Sequence, residues 1–193
     1  MIHHAASDSR YDPLSILLHW ATAVLVVTQW LGAQVIDWFP NGPLRVDARS
    51  VHILFGLILA ALIVARLFWR LTGGRRLPPA ATGLLGLAAK SVHVTLYALL
   101  LAMVTVGVAL TWTRGDSIFN LFSVPAFDPG NEALADQVQD IHATLGWLIL
   151  GLAGLHAGIA ILHRQVWRDR VFDRMLPARE AAASSPVGSS PGR

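Results

Sequence analysis

The sequence contains no cysteine. That excludes disulfides, iron–sulfur clusters, thiolate metal sites and covalent haem attachment through a C-x-x-C-H motif. It is also poor in charge: 14% of its 193 residues are Asp, Glu, Lys or Arg, where a soluble domain carries about 25%. Too few charges remain to cover a water-facing surface. No basic face stands apart from the apolar runs, because the arginines flank them, so nucleic-acid binding is excluded as a function class. No internal repeat is visible.

What is abundant is apolar, 54% of the chain, and it is clustered. Four stretches near 14–36, 51–71, 91–113 and 141–163 are each long enough to cross a hydrocarbon core roughly 30 Å thick. Lipid cannot satisfy an open backbone, so these are predicted as helices. In "RYDPLS" Asp12 is placed to cap the first helix, with Pro13 as its first residue. A cleavable signal peptide is the rival reading of this segment. The run is longer than a typical apolar signal core, and its His19 has counterparts downstream.

Lys and Arg set the expected orientation. Arg10, the group Arg66, Arg70, Arg75, Arg76 and Lys90, and the group Arg164, Arg168, Arg170, Arg174, Arg179 and Arg193 all fall on one side. Only Arg45, Arg49 and Arg114 fall on the other. Both termini are therefore expected in the cytoplasm, with 37–50 and 114–140 outside. The outer stretch "NEALADQVQDIHATLG" is compatible with a helix running into the fourth span. The fold class expected is all-α: one multi-pass membrane four-helix bundle over 1–177, lying in the lipid bilayer, followed by a small, polar, Pro-rich and disordered tail over 178–193.

Histidines interrupt the apolar runs, and an ionisable residue inside a span is a functional hypothesis by default. His19 lies near the cytoplasmic end of span one, His52 near the outer end of span two, and His142 near the outer end of span four. His156 follows fourteen residues after His142. That spacing gives about 21 Å of rise and returns to within roughly 40° of the starting direction. Two pairs result: His19 with His156 at cytoplasmic depth, and His52 with His142 at outer depth. Paired neutral imidazoles from different helices suit a planar iron porphyrin, and filling both axial positions favours electron transfer over oxygen binding. Two haem b groups, iron to iron about 20 Å apart, would form a transmembrane electron wire. Glycines one turn after His52 and His142, Gly56 and Gly146, give a porphyrin room, although small residues also serve ordinary membrane helix packing.

Arg66 follows His52 by fourteen residues, so it shares that face at cytoplasmic depth. It is a candidate propionate partner, or else a snorkelling interfacial arginine. Arg49 and Arg114 are the outer candidates for propionate or anion contacts. His93 and His163 lie near the cytoplasmic interface. His163 is seven residues past His156, which makes it a substitute ligand or an interfacial group for quinone or propionate hydrogen bonding. His3 and His4 lie in a polar tail and carry no assigned role. A haem-free protein using its histidines for zinc is disfavoured, because paired histidines at two depths do not supply four ligands together.

The order "LLHW", "SVHILFG", "IHATLGW" and "GLHAGIAILHR", with "RLFWRL" closing span two and "TRGDSIFNLF" after span three, resembles the bacterial cytochrome b561 family over roughly residues 10–177. The likeness is to its small four-helix members that act as superoxide oxidases. It implies two non-covalent b haems with His19, His52, His142 and His156 as ligands, ubiquinone as electron partner, and a place in the bacterial inner membrane. It further implies that superoxide is oxidised to dioxygen on the periplasmic side while ubiquinone is reduced. The outer loops are acidic, which opposes an anionic substrate unless Arg45, Arg49 and Arg114 line the entrance. The alternative function is a cytochrome subunit relaying electrons between quinone and a periplasmic or membrane redox partner such as a hydrogenase or dehydrogenase.

Overall fold

The computed structural model describes residues 10–169 and 171–177; the expected tail over 178–193, with His3 and His4, lies outside them. Four long helices dominate: α1 (Pro13–Ile36), α2 (Pro43–Thr72), α3 (Gly83–Arg114) and α4 (Glu132–Leu162). All four are long and apolar enough to cross a membrane.

Helices α2 to α4 start eight or more residues before the predicted spans. Hydropathy marks the lipid-immersed part of a helix, while capping decides where its hydrogen bonds begin. α1 starts where the sequence placed it: the Asp12 carboxylate accepts from the Ser15 backbone N–H at 2.9 Å, and Pro13 occupies the first turn. Asn131 caps α4 by accepting from the Leu134 N–H. α4 therefore begins inside the outer stretch, as the pattern of "NEALADQVQD" allowed. α3 ends at Gly115, whose φ of +64° lets the chain reverse. A side chain there would also press on Ala126.

The connection after α3 holds an element not foreseen in the sequence, a two-stranded antiparallel hairpin of β1 (Ser117–Ile118) and β2 (Phe122–Ser123). Such short strands carry no readable alternation. The hairpin is pinned to α2 through Ser50, which is fully buried. Its Oγ donates to Val46 O at 2.7 Å and accepts from the Phe119 N–H at 2.8 Å.

The helices pack as two close pairs, α1 with α2 and α3 with α4, joined by a contact between α2 and α3. α1 barely touches α4. The dense core is small and lies where α2, α3 and α4 meet, around Leu59, Ile63, Leu100 and Ile149. Most large apolar side chains face outward, because lipid is as apolar as the core.

At the end of the bundle nearer the described termini, Asp12 ties several elements together. Besides capping α1 it accepts from Trp69 Nε1 at 2.9 Å and from the Arg75 backbone N–H at 3.0 Å. Burial raises the Asp12 carboxyl, but these donors together outweigh it and hold the group far below the ordinary carboxylate range. The 171–177 segment straps across the same end: Trp20 donates to Met175 O, and Arg174 donates to Pro78 O. These ties make α1 an integral part of the bundle.

Candidate functional site: two histidine pairs at opposite ends of the bundle

The four span histidines meet as two pairs. The His19 and His156 rings lie 6.5 Å apart between centroids, and those of His52 and His142 lie 6.2 Å apart. Both pairs are nearly perpendicular, with interplanar angles of 74°. α3 brings no residue into either pair, yet it sets the frame. Gly107 faces His142 and His93 faces His156, so the same fourteen-residue step runs in opposite directions along α3 and α4.

At the loop end, the Nδ1 atoms of His52 and His142 are buried without a hydrogen-bond partner among the described residues. Polar atoms left so in an apolar interior are costly unless something binds them. Room for His142 depends on Gly107, where a Cβ would lie 3.1 Å from His142 Cε1. Gln29, a polar residue inside span one, donates to His52 O at 2.8 Å and steadies that turn of α2. Neither Gly107 nor Gln29 stands out in the sequence. A glutamine inside an apolar run is the only available signal for the second.

The arginines at the loop end are engaged with acids. Arg49 pairs with Asp116 at 2.9 Å, and the Asp116 side chain is 5% exposed. Arg45 reaches Asp37 and the carbonyls of Phe39 and Asp37. Arg114 lies in the combined field of Arg49, Asp116, Asp37 and Asp136.

The opposite end is richer in contacts. Arg66 Nη2 lies 2.9 Å from His19 Nδ1, and its guanidinium sits over the Tyr97 ring. His93 approaches His156 to 5.1 Å between centroids. His163 is in contact with Asp169 and Trp167. α4 gives way at this residue to a π-helical turn (His163–Trp167), and Arg168 then takes a left-handed conformation with φ of +52°. That turn sets Asp169 Oδ2 2.5 Å from His163 Nδ1, with the Trp167 ring against the imidazole. The hydrogen bond from His163 holds the Asp169 carboxyl below its ordinary range.

What fits between such pairs follows from bond lengths. A metal–imidazole bond of roughly 2.0–2.1 Å, plus roughly 1.1 Å from nitrogen to ring centre, puts two trans imidazoles about 6.3 Å apart. The two principal pairs match this spacing and the His93–His156 approach falls short of it. Among the described residues no three His, Asp or Glu side chains converge as a closed metal site requires. A group bringing its own equatorial ligands and taking two axial imidazoles suits these residues.

The family model for prokaryotic cytochrome b561 matches residues 10–178. The chain belongs to the prokaryotic cytochrome b561 family. Similar proteins include "Cytochrome b561 homolog 1" of Escherichia coli (strain K12), 30% identical over 178 residues, covering 89% of this chain and 99% of that one. The "Probable superoxide oxidase CybB" of Yersinia pestis is 28% identical over 174 residues, covering 88% and 97%. As a b561 cytochrome the chain is a multi-pass membrane electron-transfer protein, and its family implies b-type haem.

Proposed function

We propose that this cytochrome holds two b haems, one between His19 and His156 and one between His52 and His142. We propose further that it acts as a superoxide:ubiquinone oxidoreductase of the bacterial inner membrane, with both termini in the cytoplasm. The observation that carries the two-haem reading is the pair of imidazole spacings, 6.5 and 6.2 Å, at opposite ends of one bundle. The superoxide reading draws on the likeness to the Yersinia pestis protein.

In the overall reaction two superoxide anions each give up one electron and leave as dioxygen. One ubiquinone takes those two electrons and two protons to become ubiquinol. Haem supplies one-electron redox chemistry at each end of the bundle. The chain's own residues hold and insulate it. The imidazoles of His19, His156, His52 and His142 would hold the haems, and Gly107 and Gln29 keep the loop-end pair in register. At the periplasmic mouth Arg114 and the Arg49–Asp116 pair moderate an otherwise acidic surface that would repel an anion.

The test is direct. Purified protein should show b-type bands in a reduced-minus-oxidised spectrum and two haems per chain. Mixed with superoxide and a short-chain ubiquinone, it should form ubiquinol. Absence of superoxide-dependent ubiquinol removes the superoxide assignment and leaves the cytochrome.

A second reading, an electron relay to a redox partner, is favoured by the apolar tip of the hairpin, where Leu121 is 82% and Phe122 61% exposed. Co-purification of a periplasmic redox protein that is lost with Leu121→Ser would support it.

A further inference from the structure

Each histidine pair joins two halves of the bundle. One half is α1 with α2, which supplies His19 and His52; the other is α3 with α4, in which α4 supplies His142 and His156. The halves meet closely along α2 and α3 and barely meet along α1 and α4. The arrangement is that of a book, with its spine at α2–α3 and its fore-edge at α1–α4. A group held by both imidazoles of one pair lies between the covers.

The spine is pinned by polar contacts. At the loop end Arg49 pairs with Asp116, Ser50 Oγ accepts from the Phe119 N–H, and Asn120 donates to Asp47. At the other end the Arg66 guanidinium sits over the Tyr97 ring. Among the described residues, the ring contacts that cross the fore-edge are His19 with His156 and Trp30 with Trp147. The two indoles meet edge to face, with centroids 5.0 Å apart. Trp30 also lies against α4 at Gly146, where a Cβ would come 3.9 Å from its Cδ1. Gly146 is one turn from His142, so the tryptophans close the fore-edge beside the loop-end pair. The far side of the contact is open to the surroundings of the bundle, since Trp147 is 58% exposed.

Both ends of the bundle are covered. The hairpin lies over one end. The 171–177 strap crosses the other, where it continues from α4 and accepts from Trp20 and from the Tyr11 N–H. The strap thus ties α1 to the chain after α4 and leaves the fore-edge freest at the loop end. A planar group without a covalent tether must then pass between lipid and the loop-end pair through the side. An edge-to-face aromatic contact is a modest barrier, because lipid is as apolar as the faces it would separate. Polar pins in an apolar setting cost far more to break.

We propose that the α1–α4 seam is the lateral port through which the haem of the His52–His142 pair enters and leaves, with the Trp30–Trp147 contact as its latch. The proposal rests on the two-haem reading given above.

The experiment uses the haem-loaded protein in lipid nanodiscs, mixed with excess apomyoglobin as the acceptor of released haem. Haem transfer is followed by absorbance, and the two spectral components are resolved. Trp30→Ala and Trp147→Ala should each speed loss of the loop-end haem roughly 2- to 12-fold, the range set by one aromatic pair. The other haem should leave at its wild-type rate. Because the chain has no cysteine, thiols can be placed at the seam alone. In Trp30→Cys/Trp147→Cys, a membrane-permeable bis-methanethiosulfonate link should bring the loop-end rate below that of wild type, and dithiothreitol should restore fast loss. The same link across the spine, in Asp47→Cys/Asn120→Cys, should leave the rate unchanged. If wild type holds two haems and the seam link does not slow transfer, or the spine link slows it equally, the port is refuted while the proposed function stands. A wild type without two b haems removes that function and this inference together.

Discussion

The two ends of the bundle solve the same problem differently. At the loop end the pair of histidines is left bare: two Nδ1 atoms are buried without partners, and the neighbours that matter, Gly107 and Gln29, act by making space and steadying backbone. At the other end the pair is surrounded by polar chemistry, with Arg66 on His19, His93 against His156, and the His163–Asp169 hydrogen bond about two helical turns beyond. A bare pair depends on shape, whereas a surrounded pair is tuned by charge. Substitutions should therefore act on occupancy at one end and on potential at the other.

The largest effect expected is loss of a whole cofactor. On the two-haem function proposed, His19→Ala should lower haem content from two to one per chain and remove only the spectral component of its own end, while His52→Ala should remove only the other. Two haems with unchanged spectra in His19→Ala would return His93 or His163 to consideration as ligands. Next, Gly107→Ala forces a methyl to 3.1 Å from His142. At a cost on the order of 1–3 kcal/mol for overpacking, it should loosen the loop-end haem and spare its counterpart, as read by haem retention during gel filtration.

On the same reading, Arg66→Gln should keep both haems but lower the potential of the one at the His19 end. Removing a positive charge favours the ferric state by roughly 1–2 kcal/mol, or about 40–90 mV for one electron. A redox titration in which only the loop-end component moves would contradict the contrast.

The smallest effect concerns Asp12. Asp12→Asn should cost about 1 kcal/mol as a weakened cap, seen as a lower melting temperature at neutral pH. Because the folded carboxyl is depressed, its contribution is complete above the unfolded value near 3.9. It is lost as pH falls through the folded value. The gap between wild type and variant should accordingly close on strong acidification.

The pairing of histidines is legible in residue counts alone, because depth along a helix is a matter of counting and His142 and His156 differ by nearly whole turns. The cap at Asp12 is legible too, since capping is local. Gly107 is not. Its role exists only because α3 lies against α4 in one register, and α3 carries no ligand to announce it. Nor is the link from Arg66 to His19 visible in the residue order, because it depends on α1 and α2 packing so that the two side chains meet at one depth. The Asp169 contact is hidden by the π-helical turn, which breaks the 3.6-residue arithmetic on which face assignments depend.

The fourteen-residue step on α4 also has an electrical meaning. It sets the two pairs about 21 Å apart along the helix, most of the thickness of the hydrocarbon layer. On the proposed function, each electron that travels between them crosses much of the membrane potential, which weighs roughly 2.3 kcal/mol per charge per 100 mV for a full crossing. In an energised cell with a negative interior the inward electron moves uphill. The same protein would run faster when the membrane is discharged, so its turnover would report on the energetic state of the cell that contains it.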